Sequence, residues 1–263
     1  MTLRWIDSHC HLNFSDFGED FTQVLERAKQ SNISSLISIA CEMSEMDAVY
    51  TIAQTHECVY ASVGIHPHEA KKDLDTYGDE AIRHELRTRA GLPKVVGLGE
   101  TGLDYYYEHS PRSVQKELFN LHLDIAEETG LPVIIHTRDA EEDTIDILKP
   151  RHGKIKGVFH CFSGSQWLAE QALELGFYLS ISGVATFSKA DELRKTIQTI
   201  PLDRLLLETD APYLAPVPKR GKRNEPSFML HTASQVATLK EVSLEELSEA
   251  TVANTKRLFQ KVS

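Results

Sequence analysis

Short apolar runs rich in β-branched residues alternate with longer amphipathic or charged segments from one end of the chain to the other. Parallel strands joined by crossover helices produce that alternation. Eight such runs are predicted as strands: Leu3 to His11, Ile33 to Ala40, Val59 to Ile65, Lys94 to Glu100, Pro132 to His136, Ile155 to His160, Phe177 to Ser182 and Arg204 to Asp210. Helices are predicted over Asp20 to Gln30, Ser44 to Thr55, Gly78 to Arg89, Pro111 to Thr129, Ala140 to Lys149, Gln166 to Leu175 and Ala190 to Ile200. Two more follow at the tail, Phe228 to Lys240 and Ser243 to Phe259, and Gly130-Leu131-Pro132 stops the helix before it. Eight strand-helix units favour an α/β fold of the closed (β/α)8 TIM-barrel type. A doubly wound sheet usually has fewer strands and a phosphate-binding glycine turn, which this sequence lacks.

The 263 residues, 41% hydrophobic, are enough for one such barrel, which needs roughly 250, so a single domain over 1–263 is expected. A net charge of -11 disfavours a broad clamp on nucleic acid through phosphate neutralisation, so any polyanionic substrate must be attracted locally. Cys10, Cys41, Cys58 and Cys161 are scattered without C-x-x-C spacing, which indicates neither a disulfide framework nor a zinc ribbon. No targeting stretch and no apolar run of membrane-spanning length is read, so a cytoplasmic protein without membrane contact or an obligatory protein partner is expected. The least regular stretch, Ala211 to Pro226, holds Lys219, Arg220, Lys222 and Arg223 among its prolines. A loop of that length is usually functional or disordered.

Chemistry enters where polar residues fall on this frame. His9 and His11 flank one residue in Trp5-Ile6-Asp7-Ser8-His9-Cys10-His11, a spacing that puts both imidazoles on one face of a strand. Glu100, His136, His160 and Asp210 stand at the ends of predicted strands four, five, six and eight. All six fall at the C-terminal rim, where barrels build their active sites. A lone strand-end histidine is more often a hydrogen-bonding group than a ligand. Six ligand-type side chains at corresponding positions of five strands are hard to explain by packing, because buried charge is costly unless paired or metal-bound.

Four imidazoles and two carboxylates suit two divalent ions better than one tetrahedral zinc. The expected arrangement has His9, His11 and Asp210 on one metal, His136 and His160 on the other, and Glu100 bridging them. Such a site keeps about two positive charges and draws in an anionic ester. Paired metals lower the pKa of water and stabilise the entering and leaving oxygens of a phosphoryl group, which points to phosphoester hydrolysis. The ligand chemistry suits zinc, manganese or iron better than calcium.

Five motifs, Asp7-Ser8-His9-Cys10-His11, Gly64-Ile65-His66-Pro67-His68, Gly97-Leu98-Gly99-Glu100-Thr101-Gly102-Leu103-Asp104-Tyr105, His136-Thr137-Arg138 and Glu208-Thr209-Asp210-Ala211-Pro212-Tyr213, resemble those of the TatD family of metal-dependent deoxyribonucleases. Arg220-Gly221-Lys222-Arg223-Asn224-Glu225-Pro226 is similar to its YcfH-like branch. The resemblance implies a TIM barrel of the metal-dependent hydrolase type, within the wider amidohydrolase group, with DNase activity in some members. It also implies His9, His11, Glu100, His136, His160 and Asp210 as ligands, the six already chosen. Many amidohydrolases bridge their metals with a carboxylated lysine. Glu100 at that position counts against a dihydroorotase or hydantoinase.

Asp210 is the expected general base, acting with Glu100 in catalysis. Glu208 and Asp7 are read as supports behind the ligands. His66, Arg138 and Arg223 are the expected substrate contacts, since arginine holds phosphate oxygens bidentately. One or more of Tyr105, Tyr106 and Tyr107 could stack a base, and at least one is expected to pack in the core. Cys10 and Cys161 are expected to alternate away from the site as buried thiols. The function expected is exonuclease-like hydrolysis of DNA or a small phosphodiester by a metal-activated water. Two alternatives stand beside it: hydrolysis of a small amide, lactone or phosphomonoester, and metal-retaining nucleic-acid binding without turnover.

Overall fold

The computed structural model describes residues 3–263. Strands β1 (Trp5–Cys10), β2 (Ile33–Ser38), β3 (Val59–Val63), β4 (Val95–Asp104), β5 (Val133–Arg138), β6 (Gly157–Phe159), β7 (Tyr178–Ile181) and β8 (Leu205–Leu207) lie side by side in sequence order. Every neighbouring pair is parallel. The edges meet just past β8, where His11 N donates to Ala211 O at 2.8 Å and Asp210 N to His9 O at 2.9 Å. The predicted (β/α)8 barrel is therefore the observed architecture, and its seam closes among the predicted ligands.

The helices are α1 (Phe21–Gln30), α2 (Met46–Thr55), α3 (Ala70–Tyr77), α4 (Asp79–Ala90), α5 (Arg112–Thr129), α6 (Glu141–Leu148), α7 (Gln166–Glu174), α8 (Asp191–Thr199), α9 (Met229–Lys240) and α10 (Leu244–Leu258). Gly130 takes φ 72° and ends α5 with its N–H on Ala126 O, as its sequence position predicted. Ser243 opens α10 by accepting the Glu246 N–H. Helix α3 was not predicted. Its segment carries Lys71, Lys72, Asp73 and Asp75 in eight residues, and only Ala70 and Asp73 are buried, so its apolar stripe is too narrow to read. Strand β4 runs four residues beyond its predicted end at Glu100, whereas β6 and β8 stop before His160 and Asp210.

Two apolar layers hold the barrel. Ile6, Ile37, Tyr60, Val96, Ile134, Val158, Tyr178 and Leu206, one from each strand, pack together inside it and are capped by Leu258, Phe259 and Val262 from the chain's end. The larger layer lies between strands and helices and includes Leu36, Val63, Leu98, Leu121, Ile135, Leu179 and Leu207. This leaves one end of the lumen filled with hydrocarbon and the other free for polar groups.

A buried histidine couples the helical layer to that polar end. His122 in α5 donates through Nδ1 to Leu118 O at 2.8 Å and accepts the Ile65 N–H at Nε2, 3.1 Å away, just after β3. Only the neutral ring satisfies both bonds, and burial pushes its pKa down to about 4. The folded value lies below the unfolded value of about 6.5, so the stabilisation is complete above that pH and is lost as pH falls toward 4. Urea denaturation of wild type should lose up to about 3 kcal/mol more than His122→Gln between pH 7 and pH 4. Parallel stability profiles for the two proteins would contradict this.

Candidate metal centre

Strand irregularities in β1 and β4 fall at the polar residues. In β1, Asp7 pairs with Leu36 and Cys10 with Ser38, three residues against two. One extra residue reverses the alternation, so His9 and His11 face the cavity although Ile6 also faces the lumen. In β4, Leu98 pairs with Val133 and Thr101 with Ile135, again three against two, and the bulge presents Glu100. Gly99 at φ 132° and Gly102 at φ 142° accommodate it. A Cβ on Gly102 would stand 2.0 Å from His136 O. Asp210 follows β8 at φ 56°, a left-handed conformation that aspartate tolerates better than most residues.

The six predicted ligands converge in two half-sites joined by Glu100. His9 Nε2 lies 3.3 Å from His11 Nε2, 3.5 Å from Asp210 Oδ1 and 3.3 Å from Glu100 Oε2. His11 Nε2 is 3.3 Å from the same Asp210 oxygen. On the other side, Glu100 Oε1 lies 2.9 Å from His136 Nδ1 and 2.6 Å from His160 Nε2, and these nitrogens are 3.2 Å apart. Between each imidazole pair there is room for one proton at most, so unshared lone pairs converge where a cation would satisfy them. The residues therefore fit a divalent metal by their own geometry.

Charge in the cluster follows from this crowding. Burial pushes Glu100 up, but His160, His66 and His136 more than reverse it and hold the carboxyl well below the usual range. The same pairing overcomes burial at His160 and holds its imidazole well above the ordinary value. His9, desolvated and stacked on His160 at 4.0 Å between centroids, is pushed down. A cation must displace protons held here, which makes metal affinity fall at low pH.

Carboxylates behind the cluster orient it. Asp104 Oδ2 accepts from His136 Nε2 at 3.1 Å and from His68 Nε2 at 3.0 Å, leaving His136 Nδ1 for the cavity. Glu208 Oε1 accepts the Cys161 N–H at 2.8 Å and lies 3.5 Å from His160 Nδ1, in keeping with a supporting position. Asp7 holds the His9 backbone N–H and Thr209, not the His9 ring, so its expected support is indirect. The reading that ended strand four at Glu100 missed Asp104. His68 was also missed, although His66-Pro67-His68 repeats the spacing of His9 and His11.

A cavity of about 330 Å³ opens over the cluster, walled by Phe14, Cys41, His66, His68, Glu69 and Tyr213 among others. His66 sits deeper than a rim contact, with Nε2 3.4 Å from Glu100 Oε1. Burial pushes its pKa down to about 4. Arg138 is at the rim, stacked on Tyr106 at 3.9 Å from the ring centroid. Arg223 is not brought to the cavity. Its guanidinium grips Asp20 at 2.7 and 2.9 Å and covers Phe17, anchoring the 211–226 loop to the segment before α1. That loop is ordered, with buried Asn224 donating to Thr209 O and Tyr213 O.

Tyr105 donates to Asp143 at 2.6 Å and lies under Arg112, so it is the packed member of the three tyrosines. Cys10 points into the outer core, as expected. Cys161, at φ 42°, is outside any strand and turns its thiol to Ser182 Oγ at 3.1 Å. Among the described residues, no helix is long and apolar enough to cross a membrane.

The whole chain has relatives. The family model for TatD related DNase matches residues 6–260. An "Uncharacterized metal-dependent hydrolase YcfH" of Escherichia coli is 41% identical over 260 residues, covering 97% of this chain and 95% of that protein. A protein of Erwinia tasmaniensis named "3'-5' ssDNA/RNA exonuclease TatD" is 36% identical over 96% of this chain and 98% of its own length. The crystal structure of YJJV, a TATD homolog from Escherichia coli, superposes with a TM-score of 0.91 at 32% identity over 99% of both chains.

Asp104 provides a test of the outer support. Calorimetric titration of chelator-treated protein with a divalent cation should show Asp104→Ala weakened about 10- to 100-fold, the usual effect of losing a carboxylate behind a ligating histidine. Unchanged affinity would mean that Asp104 does not govern how His136 is held.

Proposed function

The chain belongs to the TatD-related DNase family of metal-dependent hydrolases, and from that premise we propose that it hydrolyses phosphodiester bonds at the ends of DNA. In this reading His9, His11, Asp210 and Glu100 Oε2 hold one divalent cation, and Glu100 Oε1, His136 and His160 hold another. Zinc, manganese and magnesium are the candidates. Cations bound there supply acidification of water and neutralisation of phosphate charge.

The observation that carries the reading is the division of donors into two sets, each with two imidazoles and its own oxygen of Glu100. Asp210 lies at the edge of the cavity beside His11, where its carboxylate can take a proton from an attacking water. His66, neutral by burial, faces the Glu100 oxygen that His136 and His160 share, and can donate a hydrogen bond to a phosphate oxygen entering there. Among the described residues Arg138 has no carboxylate within ion-pair distance, so its charge is free for a phosphate at the rim. These local charges matter because the chain as a whole carries -11. The name of the Erwinia tasmaniensis relative supports an end-directed reaction on nucleic acid.

The test is metal-supplemented digestion of DNA labelled at the 5′ or the 3′ end. Wild type should release label from one end, chelation should abolish release, Glu100→Ala should be inactive, and Asp210→Asn should be slowed roughly 10²- to 10⁴-fold. Cleavage by Glu100→Ala at the wild-type rate would refute the bridging role. An intact metal complement with no DNA turnover would refute the substrate.

A further inference from the structure

Two large aromatic rings stand half open near the cavity, meeting each other edge to face at 4.7 Å between centroids. Tyr106 and Tyr107, in the turn after β4, are 57% and 51% exposed. Scattered exposed aromatics need no explanation, but these two are pinned. Asp104 Oδ1 accepts both their backbone N–H groups, at 3.0 and 2.9 Å, while its other oxygen accepts from His136 and His68. The turn is thereby tied to the cluster through one carboxylate. Tyr107 lies parallel to His109 at 5.5 Å and edge-on to His68, which lines the cavity.

Arg138 completes the arrangement. Its guanidinium carbon is 3.9 Å from the Tyr106 centroid and 4.9 Å from that of Tyr107, a cation–π contact that holds one face of Tyr106 and leaves the ring exposed on its other side. Across the mouth, after β8 and so opposite β4 in the eight-stranded ring, Tyr213 offers a second half-exposed ring on the cavity wall. Open aromatic faces beside an unpaired arginine, at the mouth of an anion-attracting cavity, are the means by which proteins hold unpaired bases.

We propose that Tyr106, held flat by Arg138, stacks the unpaired base of a nucleotide next to the bond being cut. The proposal rests on the phosphodiesterase reading and adds a residue to it: Tyr106 receives the terminal base, and a base still paired in a duplex cannot reach the ring.

Binding is tested apart from turnover with metal-loaded protein and a short single strand carrying terminal 2-aminopurine and cleavage-resistant methylphosphonate linkages. Wild type and Tyr106→Phe should quench the fluorophore, and Tyr106→Ala should bind about 5- to 100-fold more weakly, with little quenching. A blunt duplex of the same sequence should bind weakly to all three. Equal affinity and quenching for Tyr106→Ala and wild type would overturn the stacking site. So would tighter binding of the duplex than of the single strand. Quenching without cleavage of ordinary DNA would leave this site standing and remove the phosphodiesterase reading instead. Cleavage with Tyr106→Ala indistinguishable in binding would do the reverse.

Discussion

One buried carboxylate between four imidazoles sets the terms for everything around it. Glu100 turns one oxygen to His9 and the other to His136, His160 and His66, at distances between 2.6 and 3.4 Å. A charge taken out of water at this depth is tolerable only when positive charge or hydrogen-bond donors meet it. Protons on the histidines serve in the free chain. Divalent cations would serve the same need by accepting the lone pairs of the carboxylate and the imidazoles, which is why the cluster reads as a site and not as a salt-bridged core.

The barrel makes that cluster possible by departing from regular strand geometry where it matters. Ideal alternation from lumen-facing Ile6 would send His9 outward, and a one-residue excess in β1 re-aims it, while a second excess in β4 falls beside Glu100. The ring's seam closes through His9, His11, Asp210 and Ala211 backbone bonds, so the first and last strands deliver their donors to one place. Phe259 and Val262 fill the far end of the lumen. Packing there and polarity at the mouth are the same structural decision, made by which end of each strand carries hydrocarbon.

Much of this was legible in the sequence. Apolar runs set off by turn residues identified all eight strands, and the six ligand candidates stood out because chemistry recurred at strand ends. The misses have specific causes. Helix α3 has too few buried positions to show a period. Asp104 was missed because strand four was ended at Glu100, whereas β4 continues past its bulge to Asp104, with Gly99 and Gly102 at positive φ. Arg223 was chosen because it lies in a predicted rim loop and arginine holds phosphate oxygens bidentately, but nothing in the local sequence reveals that Asp20, some two hundred residues earlier, occupies its guanidinium. Long-range pairing of that kind is invisible to periodicity.

The central claim is that Glu100 bridges two cations, and locating the cations tests it most directly. Anomalous scattering from crystals grown with manganese should place two peaks on opposite sides of the Glu100 carboxylate, about 3.5 to 4 Å apart. One would be shared by His9, His11 and Asp210, the other by His136 and His160. A single peak, or peaks that leave Glu100 without a metal, would contradict the account.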